Sequence, residues 1–255
     1  MISVEIVSSG NGKTGGIMEK QRLDKIIAST GKWSRKDVKL LVKQGRVLVD
    51  GTPAASSDEK YDPQQNVITV DGEDIGYRSV TWVMMNKPAG YLSATEDGRG
   101  ETVLDLLPQD LQRQNLFPVG RLDKDTEGLL LLTNDGALAH QLLSPKYHVD
   151  KVYYTRVAGR LEEADCRAFR EGMVLGDGLH CMPAELEILS VGEISEAHVT
   201  LREGKFHQVK RMLASCGKPV VYLKRIKMGK MTLDPALSLG EYRFLTEEEL
   251  QDLKK

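Results

Sequence analysis

The sequence predicts an α+β protein of two domains, and three observations lead there. Segments with apolar residues three and four apart alternate with short runs of period two, so neither helix nor strand dominates. The pattern resets around Gly76-Tyr77-Arg78-Ser79, where a domain boundary is expected. A chain of 255 residues is long enough for two hydrophobic cores. The expected division is an extension over 1–17, a small domain over 18–77 and a larger one over 78–255.

Residues 1–17 are rich in Gly and Ser around Ile2-Ser-Val-Glu-Ile-Val7, and they read as a flexible extension upstream of a natural start at Met18. Gly12-Lys13-Thr14 has the end of a phosphate-binding loop, but Val7 stands where that motif needs a glycine, so no nucleotide site is expected. Arg22 to Thr30 reads as a helix with Leu23, Ile26 and Ile27 on one face and Gly31 as its stop. Ser34 opens a second helix, with Asp37 in the capping-box position and Gly45 ending it. At about 100° per residue, Arg35, Lys36, Lys39 and Lys43 share one sector of this helix, opposite Val38, Leu41 and Val42. The result is a helix that packs by one side and offers a ladder of cations on the other. Arg46 to Asp50 and Val67 to Val70 read as short strands, each closed by an Asp-Gly turn.

The second domain reads as strand-rich. Strands are expected over 82–85, 129–132, 152–157, 184–189 and 197–201, and helices over 137–143, 162–170, 207–214 and 247–253. Thr246 and Glu249 form a second capping-box pair. The sheet is expected to be mixed and mostly antiparallel.

The formal net charge of -2 hides a segregation. From Met18 to Asp50 nine basic residues stand against four acidic ones, a balance of +5; from Leu201 to Lys230 nine stand against Glu203 alone, a balance of +8. Two basic islands on an otherwise acidic chain suit a protein that touches a polyanion at defined places, although either island alone is more simply a solvated face. No run of about 18 apolar residues is present, so no membrane span is expected. Cys166, Cys181 and Cys216 lack metal-ligand spacing and read as reduced thiols of a cytosolic protein.

Three polar segments of the second domain stand out as more than connectors: Asn86-Lys87-Pro88-Ala89-Gly90, Gly120-Arg-Leu-Asp-Lys-Asp-Thr-Glu-Gly128, and Glu203-Gly-Lys-Phe-His-Gln-Val-Lys-Arg-Met212. Singly, each has a plain explanation: a charged turn, a capping or core histidine at His207, a solvated helix face at Lys210-Arg211. Together with Lys151-Val-Tyr153, in this order, they resemble the RsuA/RluB branch of bacterial ribosomal RNA pseudouridine synthases, over nearly everything after Met18. In that family the first domain is an S4-type RNA-binding module, and 18–75 looks like one.

The resemblance implies a role for each matching residue. Asp123 matches the essential aspartate, which attacks the ribose or the uracil so that the base detaches, rotates and rejoins through carbon; a carboxylate suits this step because it needs no activating base and leaves readily. Lys210 matches the basic partner of that aspartate. Tyr153 matches the aromatic that stacks on the target uracil, although as a strand residue it could equally be core, with Tyr154 pointing to the other face. Arg121 matches a basic side chain that holds the displaced nucleotide. Lys87 and Arg211 are candidates for phosphate contacts, as are Arg35, Lys36, Lys39 and Lys43 of the first domain. His207, Gln208, Gly128, Lys124 and Asp125 are read as shaping the loops. No metal and no organic cofactor is expected. The segment 144–153 and the ending 240–249 look closer to the small-subunit enzyme, which implies a cytoplasmic monomer acting on one uridine of 16S rRNA, within a partly assembled subunit. Three rivals stand beside this reading: a non-catalytic RNA-binding or assembly factor, a large-subunit 23S enzyme, and a metal-dependent hydrolase built on Asp123, Asp125, Asp135 and His140.

Overall fold

The computed structural model describes residues 20–254 except 64, 78, 79 and 99. The expected extension over 1–17, with Gly12-Lys13-Thr14, and the Arg78-Ser79 part of the boundary segment lie outside the described residues. The chain divides into two compact units, the first ending at Tyr77 and the second running from Arg78 to Lys255.

In the first unit, β1 (Gln21–Arg22) leads into α1 (Leu23–Ser29), followed by α2 (Arg35–Lys43). Then come β2 (Val47–Val49), β3 (Thr52–Pro53), β4 (Lys60–Tyr61), β5 (Ile68–Val70) and β6 (Glu73–Asp74). The strands run antiparallel in the order β3-β2-β5-β6, and β1 pairs with β4. Helix α2 starts where it does because of a reciprocal cap: Ser34 Oγ accepts from the Asp37 amide at 3.2 Å, and the Asp37 carboxylate accepts from the Ser34 amide at 2.9 Å. Such a cap contributes about 1 kcal/mol. Asp50-Gly51 and Asp71-Gly72 both have positive φ, at 50° and 78° and at 55° and 82°, the paired left-handed geometry that closes a tight hairpin. Leu23, Ile26 and Ile27 of α1 and Val38, Leu41 and Val42 of α2 bury against Val47, Val49, Ile68 and Val70. The opposite side of α2 leaves Arg35, Lys36, Lys39 and Lys43 exposed.

The second unit begins with β7 (Trp82–Lys87), α3 (Gln109–Gln112), β8 (Phe117–Pro118), β9 (Glu127–Thr133) and α4 (Gly136–Leu143). It continues through β10 (Lys151–Ala158), α5 (Glu163–Glu171), β11 (Met173–Val174), β12 (His180–Cys181), β13 (Glu185–Ser190) and β14 (Ile194–Leu201). It ends with α6 (Gln208–Ser215), β15 (Val220–Met228), β16 (Met231–Thr232), β17 (Tyr242–Phe244) and α7 (Glu247–Leu253). One sheet of order β13-β14-β10-β15-β9-β7-β17 organises it, with β16 on β15 and β8 on β9. Every pairing in this sheet is antiparallel except β15 with β9.

The central strands are covered on both faces, which is why they read as continuous apolar runs. Val83, Met85, Leu130 and Leu132 enter one core; Trp82, Met84, Leu129 and Leu131, one step out of phase, enter the other. Strand β15 is an element the sequence does not announce. Its Val220-Val-Tyr-Leu-Lys-Arg-Ile-Lys-Met228 run carries three cations and reads as part of a basic surface, yet it lies in the middle of the sheet with Arg225 only 2% exposed. Among the described residues, no helix is long and apolar enough to cross a membrane.

Candidate active site

Asp123 sits in the loop between β8 and β9, and the backbone of that loop is held from several sides. Ser93 Oγ accepts from the Leu122 amide and donates to the Leu122 carbonyl, both at 3.1 Å. The Gly90 amide donates to the Lys124 carbonyl at 2.7 Å, and the Thr126 amide donates back to the Asp123 carbonyl at 3.0 Å. The loop ends at Gly128, whose φ of +102° belongs to the left-handed region. A Cβ there would lie 2.2 Å from the Arg225 carbonyl oxygen, because Gly128 meets Arg225 in the parallel β9–β15 pairing. Only glycine satisfies both demands.

Lys87 corrects the sequence reading. It was expected to contact phosphate, but it is 0% exposed. Its ammonium donates to the carbonyls of Pro88, Asp123, Lys124 and Thr126 at 3.0, 3.2, 3.3 and 2.9 Å. Lys87 therefore ties the Asn86–Gly90 segment to the loop that carries Asp123 and is not available to a phosphate. Burial pushes its pKa down to about 8, against the opposing pull of Asp125, Asp123 and Glu127.

Above this frame two side chains converge on the Asp123 carboxylate. Lys210 Nζ lies 3.2 Å from Oδ2, and His207 Nε2 lies 3.5 Å from Oδ1. Lys210 also reaches Asp125 Oδ1 at 2.5 Å, the shorter of its two contacts. That hydrogen bond, more than any other influence, holds the Asp125 carboxyl below the usual carboxylate range. Asp125 is thus a second anchor for Lys210 as well as part of the loop, and the sequence gives no sign of a pairing across 85 positions. Asp123, with a quarter of its side chain open to solvent, faces one ammonium and one imidazole.

Lys210 and His207 belong to the start of α6, and this start is built from buried polar contacts. His207, the residue before the helix, is left-handed at φ 49° and ψ 34°. Gln208 is buried; its amide nitrogen donates to Glu203 Oε1 at 2.6 Å, and its oxygen accepts from the Lys205 amide at 3.0 Å. Glu203 Oε1 also accepts from the Met182 amide at 2.9 Å, and Lys205 pairs with Glu203 Oε2 at 3.0 Å. Gln208 therefore shapes the turn, as expected, whereas His207 goes further and joins the carboxylate.

The remaining expected site residues are placed as follows. Tyr153 is 8% exposed, and its ring packs in the cluster that also holds Leu122, Val209 and Leu213, the neighbours of Asp123 and Lys210 in the chain. Tyr154 points the other way and makes edge contacts with His198 and Tyr222, at centroid distances of 6.3 and 6.0 Å. Arg121 is exposed, and no carboxylate among the described residues pairs with it. Arg211 is already engaged with Asp177 at 2.5 Å. Arg35, Lys36, Lys39 and Lys43 lie on the exposed side of α2 in the first unit. Asp135 caps α4 by accepting from the Leu138 amide at 3.1 Å. Among the described residues, no group of three or more His, Cys, Asp or Glu is arranged to hold a metal ion.

A partly exposed carboxylate on a rigid loop, flanked by an ammonium and an imidazole and backed by an aromatic cluster, can act as a nucleophile or hold a developing cation. Comparison with known proteins narrows this. A family model described as RNA pseudouridylate synthase matches residues 81–215, and an S4 domain model matches 21–67. The chain is 50% identical to an uncharacterised RNA pseudouridine synthase of Bacillus subtilis (YtzG), covering 92% of this chain and 98% of that protein. It is 38% identical to the ribosomal small subunit pseudouridine synthase A of Vibrio cholerae, over 92% of this chain and 100% of that one. A crystal structure of a pseudouridylate synthase is 36% identical, covers 91% of this chain and 99% of its own, and superposes with a TM-score of 0.64. The chain therefore belongs to the RNA pseudouridylate synthase family: it is an isomerase of the RsuA type that acts on RNA, with an S4 domain ahead of its synthase domain.

Proposed function

We propose that this enzyme converts one uridine of 16S rRNA to pseudouridine, with Asp123 as its nucleophile. The observation that carries the reading is the Asp123 carboxylate itself, fixed by the Ser93 and Lys87 contacts to its loop and facing Lys210 and His207. The relatives named ribosomal small subunit pseudouridine synthase A support the choice of rRNA.

The reaction breaks the bond between ribose C1′ and uracil N1, turns the base, and forms a bond from C1′ to C5. One proton leaves C5 and one arrives at N1, so the change is an isomerisation that consumes no redox equivalent. Asp123 attacks the nucleotide, and Lys210 steadies the carboxylate before attack and after release. Tyr153 stacks on the uracil from the core side, a role that suits an aromatic ring in the cluster that also holds Leu122 and Val209, the chain neighbours of Asp123 and Lys210. Arg121, exposed and unpaired among the described residues, steadies the displaced nucleotide, whose extrusion costs a few kcal/mol. Arg211 reaches a phosphate only by releasing Asp177. In the S4 domain, Arg35, Lys36, Lys39 and Lys43 hold the rRNA backbone without reading its sequence. The enzyme works as a cytoplasmic monomer on a partly assembled small subunit.

Tritium release tests this. With 5-tritiated uridine in 16S and 23S transcripts and in small-subunit particles, the enzyme should release tritium from a 16S context, and Asp123→Asn should release none. Release from 23S rRNA alone would move the substrate to the large subunit. Release by Asp123→Asn at the wild-type rate would remove Asp123 as nucleophile.

A further inference from the structure

We propose that Phe206 is a stacking platform for an RNA base next to the target uridine, an inference that rests on the proposed function and adds a binding residue to it. Phe206 is 73% exposed, the most exposed of the large hydrophobic side chains among the described residues. It is nevertheless ordered by its surroundings. Its ring stacks on His207 with centroids 3.8 Å apart and planes 18° from parallel. His207 in turn reaches Asp123 at 3.5 Å. The turn that displays both rings is closed by the buried Gln208–Glu203 contact and by the Gln208 oxygen on the Lys205 amide. The Lys205 ammonium adds bonds to Glu203 and to the His180 carbonyl.

A single exposed apolar ring is ordinary on a protein surface; what sets Phe206 apart is that a rigid polar turn holds it against the imidazole that reaches Asp123, with its other face open. The surroundings say what kind of partner fits that face. The ring stands in the segment from Leu201 to Lys230, with its balance of +8, and an unstacked nucleobase offers a flat face to the ring and a phosphate to the cations. The geometry also says which base. One face of Phe206 is taken by His207, so a base can occupy only the other face. A base on that face is separated by the whole Phe206 ring from the imidazole whose Nε2 lies 3.5 Å from the carboxylate, too far for the reacting uracil and right for its neighbour in the strand. Extruding the uridine leaves a gap in the RNA stack, and Phe206 offers the neighbouring base a replacement surface.

The test pairs Phe206→Ala and Phe206→Trp with an rRNA fragment containing the mapped target, carrying an abasic residue on its 5′ or 3′ side. Base–aromatic stacking of this kind should be worth about tenfold in affinity. KM for the intact RNA should therefore rise about tenfold in Phe206→Ala, with kcat within about twofold and the thermal midpoint unchanged, while Phe206→Trp keeps the wild-type KM. Removing the correct neighbouring base should raise the wild-type KM equally and add nothing to Phe206→Ala. An unchanged KM in Phe206→Ala, or additive losses from both abasic sites, overturns the platform while leaving the uridine isomerase reading intact. A wild-type enzyme that forms no pseudouridine in rRNA overturns that reading, and the platform with it.

Discussion

Within the two basic islands, the cations of α2 and those around the start of α6 differ in what they face. On α2, Arg35, Lys36, Lys39 and Lys43 are exposed and pair with no carboxylate among the described residues. Around α6, Arg202 faces Asp150, Lys205 faces Glu203, Arg211 faces Asp177, and Lys210 faces Asp123 and Asp125. A free cation on a surface gains when it displaces counterions from a phosphate backbone; a cation already in an ion pair must first give up its partner. On the proposed function, the α2 cations supply affinity for RNA, while Lys210 of the second island holds the loop that carries Asp123 and Asp125. Excess positive charge in a sequence is therefore not one signal but two, and only the partners distinguish them.

Lys87 marks the extreme of the second kind, a cation wholly taken up by the fold, and its removal should have the largest effect. Lys87→Met strands four carbonyls and should cost at least about 2 kcal/mol at neutral pH, read from urea unfolding. The sign of the pH dependence follows from its depressed pKa. Between about 8 and the usual lysine value of 10.5, the unfolded chain holds the Lys87 proton and the folded chain does not. The Lys87 contribution to stability thus rises with pH through that window, and the deficit of Lys87→Met should widen by up to about 3 kcal/mol. A deficit that stays constant with pH would mean that Lys87 remains charged in the folded protein.

Lys210→Met comes next. Losing the cation between Asp123 and Asp125 should lower single-turnover pseudouridine formation about tenfold to a hundredfold, with the salt dependence of RNA binding unchanged. A flattened salt dependence instead would show that Lys210 contacts phosphate and would erase the contrast between the islands. The smallest effect sharpens the other side. Replacing Lys39 and Lys43 by Gln should reduce the slope of log affinity against log salt by about two and leave the rate at saturating RNA unchanged. An unchanged slope would make the α2 ladder a solvated face.

Much of the fold was legible because its signals are local. The capping boxes at Ser34 and Thr246, the Asp-Gly turns and the apolar runs of β7 and β9 all report through neighbours a few residues away. The central strand β15 was not, because Lys224, Arg225 and Lys227 mask its alternation, and Arg225 buries its guanidinium by donating to the Leu129 carbonyl at 2.8 Å. The same limit applied to the site. The motif around Asp123 and its pairing with Lys210 could be anticipated from a family pattern. The burial of Lys87, the approach of His207 and the anchoring of Lys210 by Asp125 depend on contacts between distant segments, and charge or residue type alone does not encode them.

The central claim is that Asp123 does chemistry and the α2 ladder does binding, so one paired measurement tests it most directly: RNA affinity and single-turnover pseudouridine formation in Asp123→Asn and in the Lys39→Gln, Lys43→Gln double variant. The account predicts that Asp123→Asn binds rRNA within about threefold of wild type yet reacts at least about a thousandfold more slowly, while the double variant binds more weakly and reacts at the wild-type rate once saturated. Near-wild-type turnover by Asp123→Asn, or a saturated rate that falls with Lys39 and Lys43, would contradict it.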